Sequence, residues 1–241
     1  MPPPSAPIGF FDSGIGGLSV RDAVVARLPH EQTIYIADTA HCPYGPKPPE
    51  VILERARELT GILLGKGCKM IVVACNTATA AAIDTLREEW PDIPFVGMEP
   101  AVKPAALSSK SGVVGILATE GTFHGRLYKE TTSRFANGVT VLACVADEFV
   151  LLVEKGETSG IRAEGIVRAK IEPLLAAGAD HIVLGCTHFP HLRAVIDKVV
   201  AGRAVIIDPA PAVAAQVERV LSAAGLLNTA KNDGKKEFYS T

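Results

Sequence analysis

Short runs of β-branched and other apolar residues alternate with helical segments along this chain, and the alternation begins again halfway through it. The first set of predicted strands covers residues 8–12, 33–38, 70–74 and 95–98. The second set covers residues 112–118, 139–143, 181–184 and 204–208. Strands separated by helices indicate βαβ units and a parallel sheet. We therefore predict an α/β fold made of two parallel-sheet domains.

The two halves of the sequence correspond in detail. The first strand of each half ends in a polar turn, at Asp12 and at Thr119, and the third strand of each half ends at a cysteine, Cys75 and Cys186. The turns and the cysteines recur at nearly the same separation, which indicates two pseudosymmetric domains. Ligands of open parallel sheets bind beyond the carboxyl ends of the strands. We expect the domains to face each other across a cleft that brings the two thiols together.

The domain boundaries follow from this repeat. The first domain is predicted to cover residues 1–98, with residues 210–241 packing back on it, and the second to cover residues 99–209. Helical composition at residues 212–224 favours that return, and the polar stretch 228–236 is predicted to be a loop.

Polar residues that favour helix starts follow both strand-end cysteines. Asn76 and Thr77 follow Cys75, and Thr187 follows Cys186. A thiol at a helix N-terminus lies beside backbone N–H groups, which lower its pKa and attract carboxylates. A single buried cysteine is more often a core residue, but two equivalent ones indicate a pair of thiols facing one anionic substrate. Cys68 and Cys144 lack such surroundings and are predicted to be core residues.

His188 follows Cys186 by two positions and allows a second interpretation, half of a zinc site. Zinc sites use several Cys or His residues at short regular spacing, and the sequence has no C-x-x-C or H-x-x-x-H pair. We therefore expect no bound metal. A helix cap or a hydrogen bond in the core is the structural alternative for His188, and a role beside the thiol is favoured.

The glycine-rich turn after Asp12 does not match the known phosphate-binding, dinucleotide-binding or phosphotransferase motifs. It lacks the Lys-Ser/Thr of a P-loop, and Ser19 stands where the G-x-G-x-x-G pattern needs a glycine. A phosphotransferase of the Asp-x-Asp type would need a carboxylate at Gly14. Asp12 remains either a strand-end carboxylate of the site or a helix N-cap. The sequence Pro43-Tyr44-Gly45 is either a plain turn or the mouth of the cleft.

Composition narrows the location and the partners. The chain has 241 residues, of which 48% are hydrophobic and 21% charged, and a formal net charge of −2. This charge and the absence of a Lys/Arg run give no reason to expect a nucleic-acid partner, and no apolar run is long enough to span a membrane. Five cysteines, an odd number, and an N-terminus without a signal peptide favour free thiols in the cytoplasm. A homodimer is left open.

Five segments carry a resemblance to a known family: residues 11–17, 38–40 with 43–45, 74–78, 117–119 with 121–122, and 184–188. Together they resemble the glutamate racemases, cofactor-independent members of the aspartate/glutamate racemase superfamily. The resemblance implies that Cys75 and Cys186 are the two acid/base thiols. It also implies the assisting and substrate-binding residues, which are Asp12, Glu154 and His188 for assistance, and Asp12, Ser13, Pro43, Tyr44, Gly45, Asn76, Thr77, Thr119, Thr122, Thr187 and His188 for binding. His41-Cys42 departs from the usual residues before Pro-Tyr-Gly.

The function implied by the resemblance is interconversion of L- and D-glutamate without a cofactor, which supplies D-glutamate for peptidoglycan synthesis. One cysteine should be ionised at rest and the other protonated. An aspartate racemase and a non-catalytic regulator that binds a topoisomerase are the alternatives.

Overall fold

The computed structural model describes residues 2–99, 101–135 and 138–241, and it contains two fully parallel β-sheets. The five strands of the first sheet are β1 (Ile8–Asp12), β2 (Thr33–Ala37), β3 (Met70–Val73), β4 (Phe95–Gly97) and β9 (Lys236–Ser240). The four strands of the second sheet are β5 (Val113–Ala118), β6 (Thr140–Val145), β7 (His181–Leu184) and β8 (Val205–Ile207).

Helices lie between successive strands along the chain. They are α1 (Leu18–Arg27), α2 (Pro49–Gly65), α3 (Asn76–Glu89), α4 (Val102–Ser108), α5 (Glu120–His124), α6 (Arg126–Phe135), α7 (Asp147–Glu154), α8 (Gly160–Ala176), α9 (Arg193–Val200) and α10 (Ala210–Ala223). Of these, α4 and α10 fall where the chain passes from one sheet to the other. Two short 3₁₀ segments, Thr39–His41 and Phe189–Leu192, follow β2 and β7. Within the described residues, no helix is both long and apolar enough to cross a membrane.

The two sheets have the same strand order. It is β2-β1-β3-β4 in the first sheet, with β9 added outside β2, and β6-β5-β7-β8 in the second. This repeat confirms the predicted α/β fold with two pseudosymmetric parallel sheets. In this order, the connection after the first strand leads towards one edge of the sheet and the connection after the third strand leads towards the other edge. The point between these two strands is a topological switch point, where α/β sheets bind ligands. The ends of β1, β3, β5 and β7 are thus the expected site.

Apolar residues cover both faces of the first sheet, as parallel sheets require. On one face, Val20 and Val24 of α1 pack with Val217 of α10, and on the other face α2 and α3 pack through Leu59 and Leu86. The C-terminal segment therefore lies against the first sheet. The predicted boundary between residues 98 and 99 stays a prediction, and its neighbour Pro100 lies outside the described residues.

The polar stretch predicted as a loop is one up to residue 235, but a strand that was not predicted, β9, follows it. Strand β9 pairs in parallel with β2 and places Phe238 opposite Tyr35. Cys68 is buried as predicted, but Cys144 is only partly buried. The reason is that Cys144 lies in β6, the edge strand of the second sheet, where one flank is open to solvent.

Candidate active site

Cys75 lies where β3 ends and α3 begins, as the sequence predicts. It is the N-cap residue of α3, and its Sγ accepts a hydrogen bond from the Ala78 backbone N–H at 3.4 Å. The thiol is buried and lies 3.9 Å from the Ser13 hydroxyl. It also contacts the carboxylate of Asp12.

The predicted direction of the Cys75 pKa was wrong. Burial raises the pKa of this thiol well above its ordinary value, and the nearby Asp12 carboxylate raises it further. The hydrogen bond from Ala78 at the helix N-terminus acts in the opposite direction and is outweighed. Desolvation disfavours the charged thiolate, so Cys75 carries its proton in the resting protein.

Asp12 is fully buried at the end of β1, where its carboxylate holds the glycine-rich turn. Its Oδ1 accepts the Ser13 backbone N–H at 2.7 Å, and its Oδ2 accepts the Gly17 N–H at 2.6 Å and the Thr187 hydroxyl at 3.3 Å. Burial raises the pKa of Asp12 in spite of these hydrogen bonds and of the nearby His188. Asp12 is thus a strand-end carboxylate that orders the turn before α1 and lies beside Cys75, and it is not a helix N-cap, since Gly17 holds that position in α1.

Cys186 lies at the equivalent point of the second sheet, but the helix expected directly after it was not found there. Residues 186–188 form a turn, the 3₁₀ segment begins at Phe189, and α9 begins only at Arg193. Pro190 stands at the start of the 3₁₀ segment, where its missing N–H is not needed. Cys186 is buried, with its Sγ 3.8 Å from His188 Nδ1.

His188 links Cys186 to Glu154 at the end of α7. Its Nε2 lies 2.6 Å from Glu154 Oε1, and its side chain makes no helix-capping bond. Burial alone would lower the pKa of His188, but hydrogen bonds with Cys186, Cys42 and Glu154 raise it well above its usual range. Burial would raise the pKa of Glu154, and its bonds from His188 and the Ile15 N–H outweigh this and lower it. Both shifts favour the charged forms of this pair, an imidazolium and a carboxylate.

Hydrogen bonds across the two halves assemble these groups into one site. The Ile15 N–H donates to Glu154 Oε1 at 2.8 Å, and the hydroxyl of Thr77 lies 2.9 Å from that of Thr119. The Ser19 hydroxyl reaches the Thr187 carbonyl at 3.1 Å. The turn after β1 thus contacts the ends of both α7 and β7.

Most of the predicted substrate-binding side chains are buried, and these are Asp12, Ser13, Tyr44, Asn76, Thr77, Thr119, Thr122, Thr187 and His188. Asn76 stands out because neither its Oδ1 nor its Nδ2 has a hydrogen-bond partner among the described residues. An unpaired buried amide costs free energy. A substrate that hydrogen-bonds to Asn76 would remove that cost. Thr119 and Thr122 are joined through their hydroxyls at 2.9 Å.

The loop containing Pro43, Tyr44 and Gly45 reaches the second half, but the Tyr44 hydroxyl is already engaged. It donates to Asp38 Oδ2 at 2.6 Å. Tyr44 is buried rather than exposed at the mouth of the cleft, so a substrate contact from this loop would come from its ring or from the backbone. A Cβ atom on Gly45 would lie 2.7 Å from Asp147 Oδ1, which shows how closely this loop approaches α7.

Sequence analysis missed one residue of this region, Cys42. One ligand-type atom from each of Cys42, Glu154 and His188 lies within 4.8 Å of the others. The only signal in the sequence was the position of Cys42 directly before Pro43-Tyr44-Gly45.

Two buried thiols, each with its own proton partner, are suited to removing a proton from one face of a carbon acid and returning one to the other face. This is the chemistry of a racemase. The sequence matches the Asp/Glu/Hydantoin racemase family over residues 18–217. The chain belongs to this family and is an isomerase, an amino-acid racemase.

Named relatives agree with this assignment. The chain is 46% identical to the glutamate racemase of Pseudomonas syringae pv. tomato over 222 residues, which cover 92% of this chain and 81% of the relative. It is 46% identical to that of Herpetosiphon aurantiacus over 235 residues, 98% of this chain and 92% of the relative.

Solved structures give the same result. The Francisella tularensis glutamate racemase in complex with D-glutamate matches with a TM-score of 0.84 at 31% identity, covering 99% of this chain and 89% of that one. The Escherichia coli glutamate racemase in complex with L-glutamate and an activator matches with a TM-score of 0.87 at 33% identity, covering 98% and 89%.

Proposed function

We propose that this racemase interconverts L- and D-glutamate by direct proton transfer between the α-carbon and two cysteines, Cys75 and Cys186, without a cofactor. The observation that carries the proposal is the pair of buried thiols at equivalent strand ends, one contacting Asp12 and the other contacting the His188–Glu154 pair. Relatives named as glutamate racemases support the substrate.

The α-proton of an amino acid is far less acidic than a thiol, whose free pKa is about 8.5. The site must therefore stabilise the negative charge that moves into the substrate carboxylate as the C–H bond breaks. In this proposal, the N-terminus of α3 and the unpaired amide of Asn76 supply the donors for that charge.

The resting protonation states define the direction of each step. Cys75 carries a proton, and in the proposed mechanism Cys186 is the thiolate. Cys186 takes the α-proton of L-glutamate, and Cys75 delivers its proton to the opposite face to give D-glutamate. In the reverse direction Cys75 must first lose its proton, and the contacting Asp12 carboxylate is the acceptor.

The proposal is tested by incubating the purified protein with L-glutamate and with L-aspartate and following circular dichroism, without added pyridoxal phosphate. We expect L-glutamate to lose its optical activity faster than L-aspartate. Faster turnover of aspartate would identify an aspartate racemase, and a requirement for pyridoxal phosphate would exclude the two-thiol mechanism. A folded protein that turns over neither would favour the non-catalytic regulator.

In the cell, this activity would supply D-glutamate for peptidoglycan from the cytoplasm. Disruption of the gene should then create a requirement for D-glutamate, and growth without it would contradict this role.

A homodimer stays an expectation, which sedimentation of the purified protein would decide.

A further inference from the structure

A thiol, an imidazole and a carboxylate converge beside the proposed catalytic groups. Cys42 comes from the loop after β2 in the first half of the molecule, and Glu154 and His188 come from the second half. One ligand-type atom of each lies within 4.8 Å of the other two. The proton transfers proposed above use His188 and Glu154 but give Cys42 no task.

We propose that Cys42, Glu154 and His188 form an inhibitory binding site for a divalent transition-metal ion, Zn²⁺ in particular. Thiolate, imidazole and carboxylate are the side-chain ligands that zinc uses in proteins, and three of them leave a fourth position open. Cys186 is not part of this cluster, since its Sγ lies 3.8 Å from His188 Nδ1 whereas Glu154 contacts Nε2.

The charges and protons of this binding step balance. The resting cluster holds the imidazolium of His188 against the Glu154 carboxylate, together with the Cys42 thiol. Zn²⁺ would displace one proton from the imidazolium and one from the thiol. The Cys42 thiolate and the Glu154 carboxylate then neutralise the ion, so the partly buried cluster gains no net charge. Only small side-chain shifts are needed, because the ligand atoms are already neighbours.

The consequence for catalysis is inhibition, and this part of the inference rests on the proposed function. An imidazole bound to zinc can no longer exchange a proton with Cys186, and Glu154 is held by the ion instead of by His188. Cys42 provides the means to test this, since it is a metal ligand without a part in the proposed proton transfer.

Metal binding is measured independently of activity by titrating the reduced protein with Co²⁺ in a buffer without chelator. A thiolate ligand gives a sulfur-to-cobalt charge-transfer band in the near ultraviolet. We expect this band in the wild-type protein and in Cys75→Ser, and about tenfold or more weaker Co²⁺ binding in Cys42→Ala. Cys144→Ala is the matched control, because Cys144 is also partly buried but lies outside the cluster.

Zinc inhibition is then measured on the racemisation of glutamate. Half-inhibition of Cys42→Ala, measured relative to its own turnover without zinc, should need about tenfold or more Zn²⁺, whereas Cys144→Ala should behave like the wild-type protein. Absence of the cobalt band would overturn the site. A band that survives in Cys42→Ala and disappears in Cys75→Ser would assign the metal to the catalytic thiols instead. Normal Co²⁺ binding in a protein that does not racemise glutamate would leave the metal site standing and reject the proposed function.

Discussion

At the scale of single residues, the two thiols occupy equivalent positions but have different neighbours. Cys75 contacts a carboxylate, Asp12, and burial together with that charge raises its pKa. Cys186 instead lies 3.8 Å from an imidazolium, His188, which Glu154 holds in place. In the proposed mechanism, this difference decides which cysteine starts each direction of the reaction.

The two cysteines can be distinguished by replacing each with serine, whose hydroxyl is too weak an acid to serve as a comparable base. Racemisation should fall severely in both variants, and kcat/KM should fall equally for both enantiomers because the enantiomers have equal free energy. N-hydroxyglutamate needs only one base: loss of its α-proton and of hydroxide from nitrogen gives an imine, which water hydrolyses to a keto acid and ammonia.

By the family resemblance, Cys75→Ser should still release ammonia from the L form of this analogue and Cys186→Ser from the D form. The readout is ammonia production from each enantiomer. If both variants process the two enantiomers equally, the face-specific pair of bases is wrong.

The assisting groups are tested by Asp12→Asn and His188→Asn. Each should slow racemisation by about 10²-fold or more, the loss expected when a group that assists proton transfer is removed. The melting temperature should change little, because an asparagine at position 12 keeps an oxygen that can accept the Gly17 N–H. Asp22→Asn, on the exposed side of α1, is the control. Near-normal turnover with a collapsed melting temperature would assign the residue a structural role.

At the scale of elements, the turn after β1 is the part of the first half that fits most closely against the second. A Cβ atom on Gly14 would lie 2.0 Å from Glu154 Oε1, and one on Gly16 would lie 2.3 Å from His188 Nδ1. These glycines are required because side chains of α7 and of the segment after β7 occupy the space. The turn therefore sets the position of the His188–Glu154 pair.

Gly16→Ala should displace the His188 ring and lower turnover by about 10²-fold, the effect of a displacement of about 1 Å at a catalytic group. Gly165→Ala, in the exposed middle of α8, is the matched control because a Cβ there meets no atom within 4 Å. The control should keep full activity and gain about 0.5–1 kcal/mol of stability. Circular dichroism gives both the rates and the unfolding curves. Equal activities of the two variants would show that the close approach is not functional.

The loop before α2 depends on a charged network at the end of β2. Asp38 accepts hydrogen bonds from Tyr44 at 2.6 Å and from Arg55 at 2.9 and 3.0 Å. Burial alone would raise the pKa of Asp38, but the bonds from Arg55, Tyr44 and His41 lower it to about 2. Since its ordinary value is 3.8, the folded state favours the ionised form.

The resulting stabilisation of about 2 kcal/mol is complete above the unfolded-state pKa and is lost as the pH falls through the folded-state value. Asp38→Asn should therefore be less stable than the wild-type protein near neutral pH. The difference in free energy of unfolding should narrow between about pH 5 and about pH 2. Urea unfolding at a series of pH values measures this difference in free energy. A difference that stays constant over this range would contradict the lowered pKa of Asp38.

Eight of the nine described strands could be predicted, because alternating strand and helix signals are local properties of the sequence. Strand β9 could not: Lys236, Glu237 and Ser240 are polar, and the strand forms through pairing with distant β2 and contact of Phe238 with Tyr35. The site, like the strands, has features that depend on local sequence and features that depend on contacts between distant segments. The placement of the cysteines at strand ends was local, whereas the raised pKa of Cys75 depends on burial, which only the folded chain defines.

At the scale of the whole molecule, one strand order is used twice, and the two switch points face each other. Each half contributes the ends of its first and third strands, which places Asp12 and Cys75 on one side and Thr119 and Cys186 on the other. Cys42 is close to His188 and Glu154 only because the halves meet, so its surroundings could not be inferred from its own segment. Because the strand order is repeated, Cys75 and Cys186 occupy equivalent positions. Because the two halves differ in sequence, one thiol lies beside Asp12 and the other beside His188.

Because each thiol ends a turnover in the protonation state in which the other began it, the proposed mechanism leaves the empty site in a state that depends on the last product. In the proposed mechanism, a cycle that converts L- to D-glutamate starts with the proton on Cys75 and ends with a proton on Cys186. The protein that releases D-glutamate is thus prepared for the D enantiomer. Before the protein accepts another L enantiomer, Cys186 must lose its proton to water through His188, and Cys75 must regain a proton from water through Asp12. At high substrate concentration, this resetting of the empty site, rather than breakage of the C–H bond, would limit the net flux.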